Sequence, residues 1–295
     1  MKQSKTIFFL SLLIVLLTAV YAGIGLFSQD GKETFNFTTL HGETVEIYGR
    51  GIYRNDTAFK APIFRGTDAV TLFLAVPALL VACYFERRLQ GTLHSRLFLT
   101  SLLAYFLYNS ASLALGTAFN SLLLIYIAVA SLSLFAFILT FRSIDLTALA
   151  AQTSKKLPHR WIAVFLFLAG LSLVIWIMDI AIALIQKTVP ANLGHYHTES
   201  TYILDLGVIL PSAYLAGVLT WTRKPLGTLL AVILIMLNLS VGLAVIGQTV
   251  MMILDEIVLK PSEIAAYVAP FVTLGLLAIG LVITIFHHIA NPEKP

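Results

Sequence analysis

Long apolar stretches alternate with short polar segments along the whole chain, and this pattern predicts eight membrane-spanning helices. Each stretch is close to the roughly 20 residues that an α-helix needs to cross a bilayer. Backbone polar groups inside lipid must be hydrogen-bonded within their own segment, which favours helices over separate strands. The predicted spans are residues 7–27, 67–85, 97–116, 121–141, 161–186, 201–221, 227–252 and 264–288.

The composition agrees with this class. Hydrophobic residues make up 58% of the chain and charged residues 12%, whereas soluble domains average about 25% charged residues. We therefore expect an all-α membrane protein with one polytopic domain, residues 1–295, surrounded by the lipid bilayer. We expect the first span to be a retained helix rather than a signal peptide cleaved after Ala22, because its apolar run continues to Phe27.

The Lys and Arg residues predict the orientation of the spans. With the N-terminus in the cytoplasm, twelve of the 19 basic residues lie in cytoplasmic segments. The two short turns at 86–96 and 221–227 are both basic and both cytoplasmic in this arrangement, and short loops carry most of the orientation signal. Both termini are therefore expected in the cytoplasm. Since the charges follow topology, the net charge of +4 does not indicate a nucleic-acid partner.

Residues 28–66 form the one sizeable segment predicted outside the membrane, on the outer side. Apolar and polar residues alternate on either side of His41 and Gly42 in "FNFTTLHGETVEIYGRGIYR", which predicts an extracytoplasmic β-hairpin turning there. An isolated two-stranded ribbon is marginal in water. We therefore expect the hairpin to pack on the outer mouth of the helix bundle.

The polar loop 142–160 suggests a division into two four-helix halves, residues 1–141 and 161–288. The segment "RRLQGTL" (87–93) resembles "RKPLGTL" (223–229) at the corresponding bend between spans. Two four-span halves would form a parallel repeat about an axis along the membrane normal, which is known in transporters.

The spans before these two bends share a further feature. Each carries an aspartate near its outer end and a proline further along, namely Asp68 with Pro77 and Asp205 with Pro211. The spacing differs between the pairs, and short apolar matches arise by chance. The internal repeat is therefore a hypothesis that competes with coincidence.

The strongly polar side chains of the spans lie mostly in their outer halves. An ionisable side chain in lipid costs several kcal/mol on some scales and by default indicates a function. We therefore predict an outward-facing polar pocket that binds a small molecule. The candidate ligand-binding residues are Asp179, Asp205, Asp68, Asn109, Asn120, Gln248, Arg54 and Arg65.

Asp179 is the strongest single candidate. It lies roughly 10 Å below the outer end of its span, near the helix C-terminus, where the helix dipole opposes a negative charge. It should therefore be protonated or contacted by a cationic group. Asp68, Asn120 and Asp205 also have a simpler explanation, because each lies near a helix N-terminus and can cap it or interact favourably with its dipole.

The stretch "GHYHTES" offers a candidate metal site. His195 and His197 can point together in an extended loop, and with Glu199, Asp205 or Asp68 they could bind zinc. The competing interpretation is a solvated loop with interfacial histidines. No other cofactor is indicated, since the chain lacks the H-E-x-x-H, G-x-S-x-G and P-loop motifs and Cys83 is its one cysteine.

Three segments carry a resemblance to known proteins. "YGRGIYRNDTAFKAPIFRGTDAVTLFLAVP", "FNSLLLIYIAVASLSLFAFI" and "GHYHTESTYILDLGVILPSAYLAG" resemble a family of uncharacterised bacterial multi-pass membrane proteins over most of residues 45–250. The resemblance implies a location in the bacterial cytoplasmic membrane. It implies no activity and no site residues.

Three classes of function follow from these observations. The first is a transporter or membrane sensor that binds a small molecule in the outward pocket, favoured by the prolines within spans. The second is an intramembrane enzyme, zinc-dependent if the histidines bind metal, acting on lipid or envelope substrates at the outer leaflet. The third is a non-catalytic accessory or assembly subunit. The sequence determines neither the ligand nor the oligomeric state.

Overall fold

The computed structural model describes residues 2–89, 91–190, 193–257 and 259–289. In these ranges nine helices form a bundle, and eight of them are long and apolar enough to cross a membrane, which confirms the predicted number of spans. The helices are α1 (Lys2–Phe27), α2 (Lys60–Arg88), α3 (Leu93–Gly116), α4 (Leu123–Arg142), α5 (Leu146–Gln152), α6 (His159–Gln186), α7 (Ser200–Trp221), α8 (Pro225–Leu254) and α9 (Ile264–His288). The short helix α5 is the one that does not span.

Two helices form the centre of the bundle. In α3 and α8, 61% of the most apolar window is buried inside the protein, against 22% to 39% in the other spans. Helix α8 packs against α2, α3, α7 and α9. Glycines permit the close approach, because a Cβ added to Gly66 would lie 2.4 Å from the backbone of Gln248. Small residues at such contacts are typical of membrane helices.

A two-stranded antiparallel hairpin follows α1, as predicted. Strand β1 (Phe35–Thr38) pairs with β2 (Thr44–Ile47), and Phe35 lies opposite Ile47. Gly42 occupies the turn with a φ of +83°, which a glycine adopts without strain. Residues 54–58 lie alongside, where the Ala58 backbone N–H donates to the Glu46 carbonyl at 2.9 Å.

The hairpin marks one end of the bundle, which we call the hairpin end. Here the segment 28–59 contacts the connections between the other spans. The Asn55 side chain donates to the Phe119 carbonyl at 3.3 Å, and the Tyr48 hydroxyl donates to Asp255 at 3.0 Å. The chain that follows the hairpin therefore packs on the bundle, while all four residues of β1 are exposed.

Each of three helices contains a π-helical turn that ends two residues before a proline. A proline lacks the N–H for the usual helical hydrogen bond and its ring clashes with the preceding turn, and a widened turn accommodates both. Single π turns are frequent at functional sites. The turns are Thr71–Ala75 before Pro77 in α2, Asp205–Ile209 before Pro211 in α7, and Ile264–Val268 before Pro270 in α9.

Helix α6 is interrupted at Leu173 and consists of two parts, His159–Ser172 and Val174–Gln186. The first part packs along α7, whereas in the second part Ala183 is the one residue that is fully buried. The second part, at the hairpin end, is therefore held less tightly by its neighbours. It carries Trp176 and Asp179.

The cytoplasmic location of the termini and the division into two halves stay predictions. Helix α8 belongs to the second proposed half, yet its Leu237 lies in the apolar cluster formed mainly by α1 to α4. Helices of the two proposed halves therefore pack against each other.

Candidate functional site

A cavity of about 220 Å³ opens among the helices at the hairpin end, and we call it the main cavity. It lies between α2, α3, α6, α7, α8 and α9. Four of the eight predicted ligand-binding residues line it. These are Asp179, Asp205, Asn109 and Gln248.

Asp205 is the most buried of the carboxylates that line the main cavity. It is 4% exposed and is the first residue of the π turn in α7. Its Oδ1 accepts a hydrogen bond from the Tyr108 hydroxyl at 2.8 Å, and its Oδ2 accepts one from the Trp176 indole N–H at 2.9 Å. The indole nitrogen can only donate, so Oδ2 is fixed as an acceptor.

Asp179 lies in the less tightly packed part of α6 and is half-buried. Its carboxylate accepts a hydrogen bond from the Tyr202 hydroxyl, so a neutral donor contacts the residue for which a cation or a proton was expected. The three ion pairs among the described residues do not include Asp179 or Asp205.

An ion pair between Lys60 and Glu199 borders the main cavity. The Lys60 ammonium also lies 4.1 Å from the centre of the Tyr196 ring, which is within the range of a cation–π contact. Neither Lys60 nor Glu199 was among the predicted ligand-binding residues. Lys60 and Glu199 are 139 positions apart in the chain, and no local sequence pattern predicts their contact.

Aromatic side chains form the wall of the main cavity around Trp176. Its ring is nearly parallel to Tyr267, with centroids 5.9 Å apart. Phe271 and Tyr202 follow at 6.5 Å and 6.1 Å. The wall brings together α6, α7 and α9, and the π turn of α9 carries Tyr267.

Asp68 lies outside the main cavity, although it was a candidate. It is 0% exposed, and its Oδ2 accepts a hydrogen bond from the Tyr53 hydroxyl at 2.6 Å. Gly25 of α1 is so close that an added Cβ would lie 1.8 Å from this oxygen. The Asp68 side chain is therefore surrounded by packed protein atoms and is not in contact with solvent.

Three other candidates also lie away from the lining of the main cavity. Asn120 accepts a hydrogen bond from the Leu122 N–H at 2.9 Å and supports the start of α4, as its simpler explanation proposed. Arg65 forms an ion pair with Asp255 at 2.8 Å and also donates to Tyr48. Arg54 is exposed on the loop.

We call the solvent-excluded surroundings of Asp68, including Tyr53 and Gly25, the sealed region. Hydrogen bonds between polar side chains connect it to the wall of the main cavity. Asn109 donates to the Tyr21 hydroxyl at 3.1 Å and to Thr71 at 3.3 Å. Thr71 and the Tyr105 hydroxyl share a hydrogen bond of 2.7 Å. This network fixes Asn109 by contacts outside the main cavity.

A smaller cavity of about 30 Å³, which we call the deep cavity, lies further into the membrane-spanning region. It shares Tyr108, Asp205, Val241 and Phe271 with the main cavity. It reaches Asn238 of α8 and Leu173 at the interruption of α6. Asp205 therefore stands where the two cavities meet.

The histidines of "GHYHTES" lie apart from the main cavity lining. His195 stacks on Tyr196 with centroids 4.4 Å apart, and His197 is exposed. Burial, together with nearby Lys60, lowers the pKa of His195. In the part of the chain that the structure describes, no three His, Cys, Asp or Glu side chains are grouped as a metal site. Zinc binding stays a prediction.

Asp56 connects loops of the hairpin end through hydrogen bonds. Its Oδ1 accepts hydrogen bonds from the Ala118 backbone N–H at 2.7 Å and from the Tyr196 hydroxyl at 2.8 Å. Burial raises the pKa of Asp56 to about 7, although both hydrogen bonds act in the opposite direction. The carboxyl group therefore titrates close to neutral pH.

Comparisons with protein-family models, with curated proteins and with solved structures found no match. The resemblance to a bacterial membrane-protein family stays a prediction, and the site is interpreted from its own geometry.

Proposed function

We propose that this protein binds a small organic molecule in the main cavity, as a transporter or membrane sensor. The observation that carries the proposal is the main cavity itself, in which Asp179 and Asp205 face an aromatic wall at one end of an apolar bundle. Apolar cavities with a few convergent polar groups are the usual form of a small-molecule site. The predicted orientation of the spans would open it to the outer side of the cell membrane.

The deep cavity favours transport over sensing. It continues from Asp205 towards Asn238, so polar groups extend beyond the main cavity. It also adjoins the interruption of α6 at Leu173 and the π turn of α7. Irregular helix segments within the membrane are typical of transporter binding sites, where they line a cavity and permit movement.

The natural fluorescence of Trp176 provides a test of binding. The chain contains three tryptophans, and the other two, Trp161 and Trp221, are 73% and 48% exposed. Replacing both by phenylalanine leaves Trp176 as the reporter inside the main cavity. The detergent-purified protein is titrated with benzylammonium, benzyl alcohol and benzoate, which share a ring and differ in charge.

We expect at least one of the three compounds to change the Trp176 fluorescence in a saturable manner. Val241→Phe should abolish this response because Val241 lines both cavities. Val250→Phe makes the same exchange on the same helix at a residue that is 48% exposed, and it should leave the response intact. If none of the three compounds gives a saturable change, the proposal is wrong.

A further inference from the structure

The described side chains that line the main cavity carry more negative than positive charge. Three carboxylates border it, namely Asp179, Glu199 and Asp205, and Lys60 is the one basic side chain among the lining residues that the structure describes. Because Lys60 is paired with Glu199, two carboxylates are left with no cationic side chain in an ion pair. In an apolar environment such charges require a partner or a proton.

The hydrogen bonds of Asp205 favour its charged form. Both of its oxygens accept from neutral donors, the Tyr108 hydroxyl and the Trp176 indole N–H. Hydrogen bonds donated to a carboxylate stabilise the anion. A protonated carboxyl group could donate only through Oδ1, to the Tyr108 oxygen, because the indole N–H cannot accept a bond from Oδ2.

The aromatic wall adds a second kind of attraction for a cation. Trp176, Tyr202 and Tyr267 present rings around the same part of the main cavity as the two aspartates. Ring faces attract ammonium groups, most strongly in tryptophan, and the attraction grows when water is excluded. The same rings would pack against an apolar body of a ligand.

The size and the donor set limit the ligand further. The volume of about 220 Å³ is below the roughly 300–1,000 Å³ of pockets for drug-sized compounds, so the ligand is small. Hard metal ions require about six or more oxygen ligands. The described residues hold no group of three His, Cys, Asp or Glu side chains that could bind a metal ion here, so two aspartates beside aromatic rings are a poor match for such an ion and a good match for an N–H donor on an apolar group.

From these observations we infer that the ligand is a small organic amine in its ammonium form. The ammonium group is placed between Asp205 and Asp179, and the apolar part lies against Trp176. This inference rests on the proposed function and names the chemical class that the same site takes.

The same three compounds test the inference in the Trp176 reporter. Benzylammonium should saturate the fluorescence change at a concentration at least 10-fold lower than benzyl alcohol, and benzoate should not bind. Asp205→Asn should weaken benzylammonium binding at least 10-fold while leaving benzyl alcohol nearly unchanged. Asp145→Asn serves as the matched control, because Asp145 is an exposed helix cap away from the main cavity and asparagine caps equally well.

The outcomes separate this inference from the proposed function. Saturable binding of benzoate or benzyl alcohol with equal or higher affinity than benzylammonium would overturn the ammonium assignment and leave the binding site standing. Equal loss of benzylammonium and benzyl alcohol binding in Asp205→Asn would also overturn it, since the aspartate would then act through the shape of the site. Absence of binding by all three compounds would contradict both proposals.

Discussion

Asp68 and Asp205 occupy similar positions in their helices and very different surroundings. Both lie near the hairpin end, close to a π turn that precedes a proline. Asp68 is enclosed by α1, Tyr53 and the polar network around Asn109. Asp205 borders two cavities and an aromatic wall. The comparison shows that a shared sequence feature encloses one aspartate in packed protein and places the other in the lining of a cavity.

The difference follows from what packs on each helix. Helix α1 covers the Asp68 side of α2 closely, with Gly25 in contact with the carboxylate. The interrupted α6 covers α7 more loosely near Asp205, because its second part is scarcely buried. We therefore expect substitutions in the sealed region to lower the stability of the protein. Substitutions in the main cavity should change ligand binding with little effect on stability.

The largest effect is expected for Asp56, which links loops at the hairpin end. Its folded pKa of about 7 lies above the ordinary value of 3.8, so the folded state holds the proton more tightly than the unfolded state. This contribution to stability is complete below about pH 4 and is lost as pH rises to about 7, at about 1.4 kcal/mol per pH unit.

Thermal melting in detergent between pH 4 and pH 8 measures this contribution. The melting temperature of the wild type, relative to Asp56→Asn, should decrease as pH rises through this range. Parallel curves for the two proteins would show that Asp56 does not titrate differently in the folded state.

The next effect concerns the contact between α1 and Asp68. Gly25→Ala should destabilise the protein by about 3 kcal/mol, because the new methyl group would displace the carboxylate and overpack a sealed region. Gly23→Ala is the matched control on the same helix, since nothing lies within 4 Å of its added Cβ. Thermal melting of both variants should show a loss for Gly25→Ala alone, and equal stability would mean that the region adapts.

A smaller loss is expected for Tyr53→Phe. This change removes the hydrogen bond at 2.6 Å to Asp68 and leaves a buried carboxyl oxygen without its donor, at a cost of about 1–2 kcal/mol. Tyr84→Phe is the control, because Tyr84 is 59% exposed. The two variants should differ in melting temperature and should both retain the Trp176 fluorescence response to ligand.

The smallest effect on stability is expected in the main cavity. Asp179→Asn should change the free energy of unfolding by less than about 0.5 kcal/mol, because the residue is half-buried and asparagine can still accept the Tyr202 hydrogen bond. Benzylammonium binding should nevertheless weaken several-fold, measured by the Trp176 titration. A loss of stability of more than about 1 kcal/mol in this variant, with the wild-type binding constant retained in the folded protein, would reverse the roles given to the two regions.

The candidate site could be predicted from sequence only in part. Depth along the spans grouped Asp179, Asp205, Asn109 and Gln248, which line one cavity, because residues at one level of adjacent spans tend to be neighbours. The same reasoning included Asp68, Arg54, Arg65 and Asn120, which do not line the main cavity. It did not find Lys60 or Trp176, and Glu199 was named only as a possible zinc ligand, because depth does not state which face of a helix meets a cavity.

The sequence by itself determined the eight spans and the hairpin, since both depend on local patterns: apolar length against the thickness of lipid, and alternation around a glycine turn. Tertiary structure decided which aspartate is sealed and which borders a cavity. That outcome depends on how closely neighbouring helices approach, through contacts such as Gly25 against Asp68 and through the interruption of α6. Such contacts join residues far apart in the chain, and their effect is set by packing rather than by any local pattern.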